Sequence, residues 1–78
     1  MTQYKVVWTL NGKGLDENTP YSSEWCTEEQ ALSSFKVISG YGSDIDWVAV
    51  VKIDPEITFE EVEKHKICEI RKDKLWNP

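Results

Sequence analysis

Apolar and aromatic side chains occupy every second position from Tyr4 to Leu10. This period-2 pattern, rich in aromatic and β-branched residues, is typical of a half-buried β-strand. Asn11-Gly12 follows at once, and because both residues adopt positive φ at low cost, we expect the chain to turn there. A weaker alternation over Tyr21–Trp25 predicts a second strand, paired antiparallel to the first and placed at the edge of the sheet.

The clearest helical pattern starts at Thr27. Thr27 and Gln30 have the spacing of a capping box, in which each side chain accepts a hydrogen bond from the other residue's backbone N–H. Apolar residues then recur at helical spacing and form one stripe that can lie across a sheet. Gly40 and Gly42 supply the left-handed stop that commonly ends a helix, so the pattern predicts a helix over Thr27–Ser39.

The second half of the chain predicts a strand, a short helix and a last strand. Trp47 to Ile53 is nearly all apolar and rich in β-branched residues, which is typical of a central strand. Thr58 and Glu61 repeat the capping pattern and predict a helix over Phe59–Lys66. Alternation over Ile67–Lys72 predicts the final strand.

Length and composition fit a single small domain. The chain has 78 residues, of which 40% are hydrophobic and 12% aromatic, so it can fold around one core of its own. We therefore expect one α+β domain over residues 1–78. Its sheet should be mostly antiparallel, with three or four strands, the main helix on one face, and the order β-β-α-β-α-β.

Charge and cysteine content disfavour several classes of protein. Fourteen acidic residues against nine basic ones give a net charge of −5, which repels nucleic-acid phosphates and anionic membranes. The two cysteines are too few for the disulfide framework of a small secreted domain, and the N-terminus lacks the pattern of an export signal. We expect a cytoplasmic protein that binds neither nucleic acid directly nor a membrane.

No group of residues predicts catalysis or a metal site. His65 is the only histidine and lies among charged residues, so we expect it on the surface. Cys26 and Cys68 have no partner at a metal-binding spacing, and Gly12-Lys13-Gly14 lacks the rest of a P-loop. The sequence predicts a protein that is not an enzyme and uses no cofactor. One alternative is a redox or enzymatic role for Cys26, because a helix N-terminus can lower the pKa of a thiol.

The acidic residues are unevenly distributed along the chain. Residues 14–46 hold seven acids against the single base Lys36, whereas the tail Lys64–Lys74 holds five bases. This asymmetry favours a protein that docks an acidic face onto a basic groove of a partner, although the acids could also serve solubility alone. We expect Trp8 and Trp47 in the core. Tryptophan is common at binding hot spots, and Trp25, on the weak edge strand, and Trp76 are more readily exposed than these two, although either could also serve packing. We predict that the partner-binding residues are Asp16, Glu17, Glu24, Trp25, Glu28 and Glu29.

The chain from Tyr4 to Ile53 resembles small phage-encoded inhibitors of host machinery, such as inhibitors of bacterial RNA polymerase and some anti-CRISPR proteins. The shared features are a strand and hairpin, the helix start Thr27-Glu28-Glu29-Gln30-Ala31-Leu32, and the return strand Trp47-Val48-Ala49-Val50-Val51. The resemblance implies an inhibitor that acts in the host cytoplasm on a basic, nucleic-acid-handling protein. It assigns no role to any single residue.

Two other functions are open at this point. A structural or assembly protein would form a homodimer through the weak edge strand, whereas the proposed inhibitor is a monomer or a homodimer. A nucleic-acid binder would use the basic tail Lys64–Lys74 and would have to overcome the net negative charge.

Overall fold

A computed structural model of the chain describes residues 3–40, 44–53 and 57–71. The four strands form one antiparallel sheet in the order β2-β1-β3-β4, and a helix follows both β2 and β3 in the chain. The predicted α+β class and the predicted order of elements are confirmed. The elements are β1 (Tyr4–Leu10), β2 (Tyr21–Ser22), α1 (Glu28–Ser39), β3 (Ile45–Lys52), α2 (Phe59–His65) and β4 (Lys66–Arg71).

The predicted turn after β1 is present. Asn11 and Gly12 both have positive φ, at 54° and 81°. Leu10 and Lys13, on either side of them, exchange two backbone hydrogen bonds of 2.8 and 3.0 Å. Asn and Gly tolerate this conformation better than other residues, which explains why the chain reverses here. The chain then continues through a loop of residues 13–20 before it returns as β2.

β2 is shorter than predicted. Only Tyr21–Ser22 forms the regular ladder with β1. At the next position, the hydroxyl of Ser23 accepts a hydrogen bond from the backbone N–H of Val6 at 3.0 Å, where a strand would offer a carbonyl. Pairing with the first residue of β1 resumes at Cys26. The predicted extension to Trp25 is therefore wrong, whereas the predicted edge position is confirmed.

α1 begins at the predicted capping box. The hydroxyl of Thr27 accepts from the N–H of Gln30, and the Gln30 side-chain oxygen accepts from the N–H of Thr27, both at 3.2 Å. Ala31 is fully buried, and Phe35 and Ile38 pack with it against the sheet. The predicted apolar stripe therefore holds α1 on one face of the sheet.

Two details at the helix ends differ from the prediction. Gly40 has a right-handed conformation with φ −92°, and its N–H donates to Val37 in a tightened last turn, so it is not a left-handed stop. Gly42 lies outside the described residues. In α2, Thr58 accepts from the N–H of Glu61 at 3.1 Å, but the Glu61 carboxylate pairs with the last turn of α2 and completes no capping box.

The sheet is covered on both faces. Alternate residues of β1 and β3 pack against α1, and the residues between them pack against α2 and its preceding segment. Burial on two faces explains the continuous apolar run of β3, which was predicted as a central strand. β1 was predicted to be half-buried, but Val7 and Thr9 on its second face are buried as well. The fully buried valines are Val6, Val48 and Val50 on the α1 side, and Val7, Val51 and Val62 on the α2 side.

The tryptophans predicted to lie in the core differ in burial. Trp47 is 5% exposed and belongs to the core on the α2 side, as predicted. Trp8 is only half-buried, because it lies next to the short edge strand and stacks on Tyr21, with ring centroids 6.3 Å apart. Trp76 lies outside the described residues.

Candidate functional site

The six predicted partner-binding residues lie in two groups near opposite ends of β1. Asp16 and Glu17 are in the loop that follows the end of β1. The other four lie between β2 and the first turn of α1, close to the start of β1, because Cys26 pairs with Tyr4. β1 has 7 residues, and a strand rises about 3.3 Å per residue, so roughly 20 Å separates the two ends. The structure therefore divides the predicted face into two surfaces.

The loop of residues 13–20 holds the first group in a fixed shape. The carboxylate of Asp16 accepts a hydrogen bond from the backbone N–H of Asn18 at 2.8 Å. A side chain at Gly14 would collide with the backbone of Thr19 and Pro20 on the far side of the loop and with the ring of Phe59. Asp16 and Glu17 are exposed, and Leu15 beside them is 68% exposed. The loop thus presents two carboxylates and one apolar side chain to solvent.

The residues of the second group also stabilise the fold. Glu28 and Glu29 lie in the first turn of α1, where negative charge interacts favourably with the helix dipole. The sequence leaves open whether Trp25 is exposed; it is half-buried, because it packs against the core on the α2 side. The ammonium of Lys5 lies 4.7 Å from the centre of its ring. The positive charge of Lys5 therefore lies beside this group of acids. The exposed Glu24 also belongs to the group.

The first group belongs to a larger negatively charged surface, which we call the acidic end. β3 begins beside the end of β1, where the backbone N–H of Asn11 donates to Asp44 at 2.8 Å. α2 also begins here, because the N–H of Phe59 donates to the carbonyl of Asn18 at 2.8 Å. The described bases at this end, Lys13 and Arg71, are fewer than the acids. The acids of the acidic end are Asp16, Glu17, Asp44, Asp46 and Glu60.

Six ion pairs lie within residues 61–71. The bases Lys64, Lys66 and Arg71 each pair with at least one glutamate at 2.6–3.6 Å. The described part of the predicted basic tail is therefore largely neutralised by its own neighbours. By contrast, Asp16 and Glu17 form no ion pair within residues 3–40, 44–53 and 57–71.

Glu69 of β4 lies at the centre of this network. One carboxylate oxygen accepts from the indole N–H of the buried Trp47 at 2.7 Å, and the other accepts from Lys66 at 2.6 Å. The hydrogen bond from Lys66 holds the pKa of Glu69 below its ordinary value; Trp47 and Arg71 act in the same direction, and partial burial opposes them. The same hydrogen bond raises the pKa of Lys66. Glu69 thus joins β4 to the core of the sheet.

A cleft of about 210 Å³ opens on the α2 face of the sheet at the acidic end. The rings of Trp47 and Phe59 form its aromatic wall, with centroids 6.1 Å apart and planes inclined by 41°. The hydroxyl of Thr9 donates to the carboxylate of Asp46 at 2.8 Å and orients it. The lining residues are Thr9, Gly12, Asp46, Trp47, Phe59, Glu63 and Arg71.

A larger groove of about 540 Å³ adjoins the cleft and runs along the loop. It is lined by residues 12–17 and by Phe59, which both cavities share. Sequence reasoning did not find this pair of cavities. Its lining comes from β1, the loop, β3, α2 and β4, and only strand pairing brings Thr9, Trp47 and Arg71 side by side.

Neither cysteine shows the thiol activation that was considered for Cys26 from the sequence. Burial raises the pKa of the Cys26 thiol, and the nearby charge of Lys5 only partly opposes this effect. Burial also raises the pKa of Cys68, against a smaller opposing effect of a backbone hydrogen bond. A raised pKa leaves less thiolate at neutral pH, which disfavours a redox or nucleophilic role.

Both edge strands carry features that oppose pairing with another chain. β2 has only 2 residues, which is too short a template for a stable added strand. β4 is longer, but its pairing with β3 is irregular between Val50 and Val51, and it carries charged side chains at Lys66, Glu69 and Arg71. Bulges and charges of this kind protect sheet edges, so the geometry disfavours the homodimer alternative.

No group of three or more His, Cys, Asp or Glu side chains in the described part of the chain is placed to hold a metal ion. Within the same residues, no helix has the length and apolar character needed to cross a membrane. No protein-family model, curated protein or solved structure matches the chain.

Proposed function

We propose that this protein is a non-enzymatic protein-binding module that docks its acidic end onto a basic groove of a partner protein. One observation carries the proposal: Asp16 and Glu17 are exposed and have no ion-pair partner among the described residues, whereas the described bases of α2 and β4 are paired internally. Negative charge without internal compensation attracts a positively charged partner and accelerates association.

The apolar side chain beside these acids supports the same surface. Leu15 is 68% exposed and lines the groove that runs between the loop and Phe59. Interfaces commonly combine a small apolar centre, which contributes most of the affinity, with a charged rim, which fixes orientation. The acidic end has both parts in the loop of residues 13–20.

The charge of the surface also indicates the class of partner. Carboxylates at one end of the sheet are complementary to a groove that otherwise binds the phosphates of a nucleic acid. Together with the resemblance to phage-encoded inhibitors, this complementarity favours a nucleic-acid-handling protein or defence complex of a bacterial host as the partner. The proposed site of action is the host cytoplasm.

The test is capture of proteins from a bacterial lysate on three immobilised proteins. They are the wild type, the loop variant Asp16→Lys/Glu17→Lys, and the matched control Glu28→Lys/Glu29→Lys, which reverses the same number of charges in α1. We expect a protein that the wild type and the α1 variant retain and the loop variant loses. Added duplex DNA should displace it, because DNA competes for the same basic groove.

Two results would contradict the proposal. Equal capture by all three proteins would show that charge at the acidic end is not used, and loss in the α1 variant alone would assign docking to the other end of β1. Circular dichroism checks that both variants fold; the four substituted residues are exposed, so we expect native spectra.

A further inference from the structure

We infer that the groove along the loop of residues 13–20 receives an apolar side chain that projects between basic residues of the partner, a step that rests on the proposed protein-binding function. The groove has a volume of about 540 Å³ and is lined by residues 12–17 and Phe59. Binding sites commonly measure roughly 300–1,000 Å³, so the groove has room for a side chain and part of the backbone that carries it.

Leu15 gives this groove an exposed apolar wall. It is 68% exposed and is the most exposed of the large apolar side chains in the described part of the chain. The loop holds it there, because the backbone N–H of Leu15 donates to the carbonyl of Thr19 at 2.8 Å. The carboxylate of Asp16 closes the next turn by accepting from the N–H of Asn18, also at 2.8 Å. Covering Leu15 with another apolar group is favourable, because apolar surface is removed from water.

Phe59 forms the other wall. Its ring is half-buried and packs against Trp47, with the ring centroids 6.1 Å apart. Its backbone N–H donates to the carbonyl of Asn18 at 2.8 Å, which joins the start of α2 to the loop. Because Gly14 has no side chain, the loop passes so close to the ring that an added Cβ would lie 2.9 Å from Cζ. Leu15 and Phe59 therefore belong to one site formed by the loop and α2.

The charges of the groove favour basic neighbours for the bound side chain. Asp16 and Glu17 directly follow Leu15, are exposed, and form no ion pair within residues 3–40, 44–53 and 57–71. They outnumber the base of the lining, Lys13. In the neighbouring cleft, by contrast, the glutamate of the lining is already paired with two bases. Charge complementarity at the groove therefore favours a partner segment whose apolar side chain is flanked by basic residues.

The experiment is a nuclear magnetic resonance titration of the labelled full chain with the peptide acetyl-lysyl-leucyl-lysine amide. Two control peptides change one property each. The seryl peptide replaces the leucine by serine and keeps the charge, and the glutamyl peptide keeps the leucine and replaces both lysines by glutamates.

We expect the leucyl peptide to cause saturable shifts of the backbone amides of Gly14, Leu15 and Asp16. The seryl peptide should bind about fivefold more weakly, because the partial burial of a leucine side chain is lost. The glutamyl peptide should bind at least about fivefold more weakly, because two exposed charge contacts become repulsive.

A pair of variants tests whether Leu15 makes the contact. Leu15→Ala shortens a wall of the groove, and Val37→Ala shortens a side chain that is 54% exposed on α1, outside the lining. Leu15→Ala should weaken binding of the leucyl peptide about threefold and leave binding of the seryl peptide unchanged, whereas Val37→Ala should change neither. Both side chains are exposed, so we expect both variants to fold. The comparison of the three peptides on the wild type decides in any case.

Four results would overturn the inference: equal binding of the leucyl and seryl peptides, equal binding of the leucyl and glutamyl peptides, shifts confined to residues away from the loop, or equal weakening by both variants. These results are distinguishable from that of the lysate capture. Charge-dependent capture without a preference for leucine would keep the proposed function and refute the role of the groove. A preference for the leucyl peptide without charge-dependent capture would keep the groove as a peptide site and refute docking through the acidic end.

Discussion

Glu69→Ala tests how β4 is held to the sheet. The substitution removes the acceptor of the Trp47 indole N–H, which lies 2.7 Å from the carboxylate. Trp47 is only 5% exposed, so water does not readily replace that acceptor. Leaving a buried donor without a partner costs about 1–3 kcal/mol. We therefore expect the variant to lose about 2 kcal/mol of unfolding free energy, at the middle of that range.

Two control variants isolate the cause. Glu69→Gln keeps an oxygen that can accept from the indole, so its loss should stay below about 1 kcal/mol. Glu60→Ala removes an exposed glutamate of the same helix–strand unit and should change stability by no more than about 0.5 kcal/mol. The order of stability should therefore be wild type, Glu60→Ala, Glu69→Gln and then Glu69→Ala.

Urea unfolding followed by tryptophan fluorescence measures these differences. A loss of about 2 kcal/mol corresponds to a melting temperature lower by roughly 8–16 °C in a domain of this size. If Glu69→Ala and Glu69→Gln were equally stable, the indole hydrogen bond would not be the main contribution. If Glu69→Ala matched Glu60→Ala, the reasoning about Glu69 would be refuted altogether.

Three further predictions follow from the same structure. The pKa of Glu69 is lowered in the folded state, so its contribution to stability is present above the ordinary carboxyl pKa and is lost as the pH falls through the lowered value. Glu69→Gln should therefore make the free energy of unfolding less dependent on pH in the acid range. The same pH dependence in the variant and the wild type would contradict this. Gly14→Ala should lower the free energy of unfolding in urea by about 1–3 kcal/mol, because the added methyl group meets backbone atoms of the loop. Unchanged stability would show that the loop can move to accommodate the methyl group. Cys26 should react with a thiol reagent at neutral pH more slowly than a free cysteine, because burial raises its pKa, and fast labelling would revive a nucleophilic role.

Local signals in the sequence predict much of this fold. The Asn11-Gly12 turn, the capping box at Thr27 and the apolar run of β3 each depend on residues within a few positions of one another, and the structure confirms all of them. The end of β2 could not be predicted in the same way. There, the hydroxyl of Ser23 accepts the hydrogen bond from the N–H of Val6 that a backbone carbonyl would accept in a regular strand. This exchange of acceptors leaves no trace in the alternation of polar and apolar residues.

The site was harder to predict because it depends on contacts between distant residues. Glu17 and Glu24 are close in sequence, yet the chain runs back along β1 between them and carries them towards opposite ends of that strand. Thr9 and Arg71 are far apart in sequence, yet both lie beside Trp47 through strand pairing. A count of charges along the chain therefore predicts an acidic protein but not which acids share a surface.

The most direct test of the proposed docking surface is the rate at which the captured partner associates with the wild type, the loop variant and the α1 variant as salt is raised. The ends of β1 are roughly 20 Å apart and the Debye length is about 10 Å at 0.1 M, so the two groups of acids can be tested separately. We predict that association with the wild type and the α1 variant is fast at low salt and slows steeply as salt is added, whereas association with Asp16→Lys/Glu17→Lys is slow and nearly independent of salt. The same rate and the same salt dependence for all three proteins would contradict docking through the acidic end.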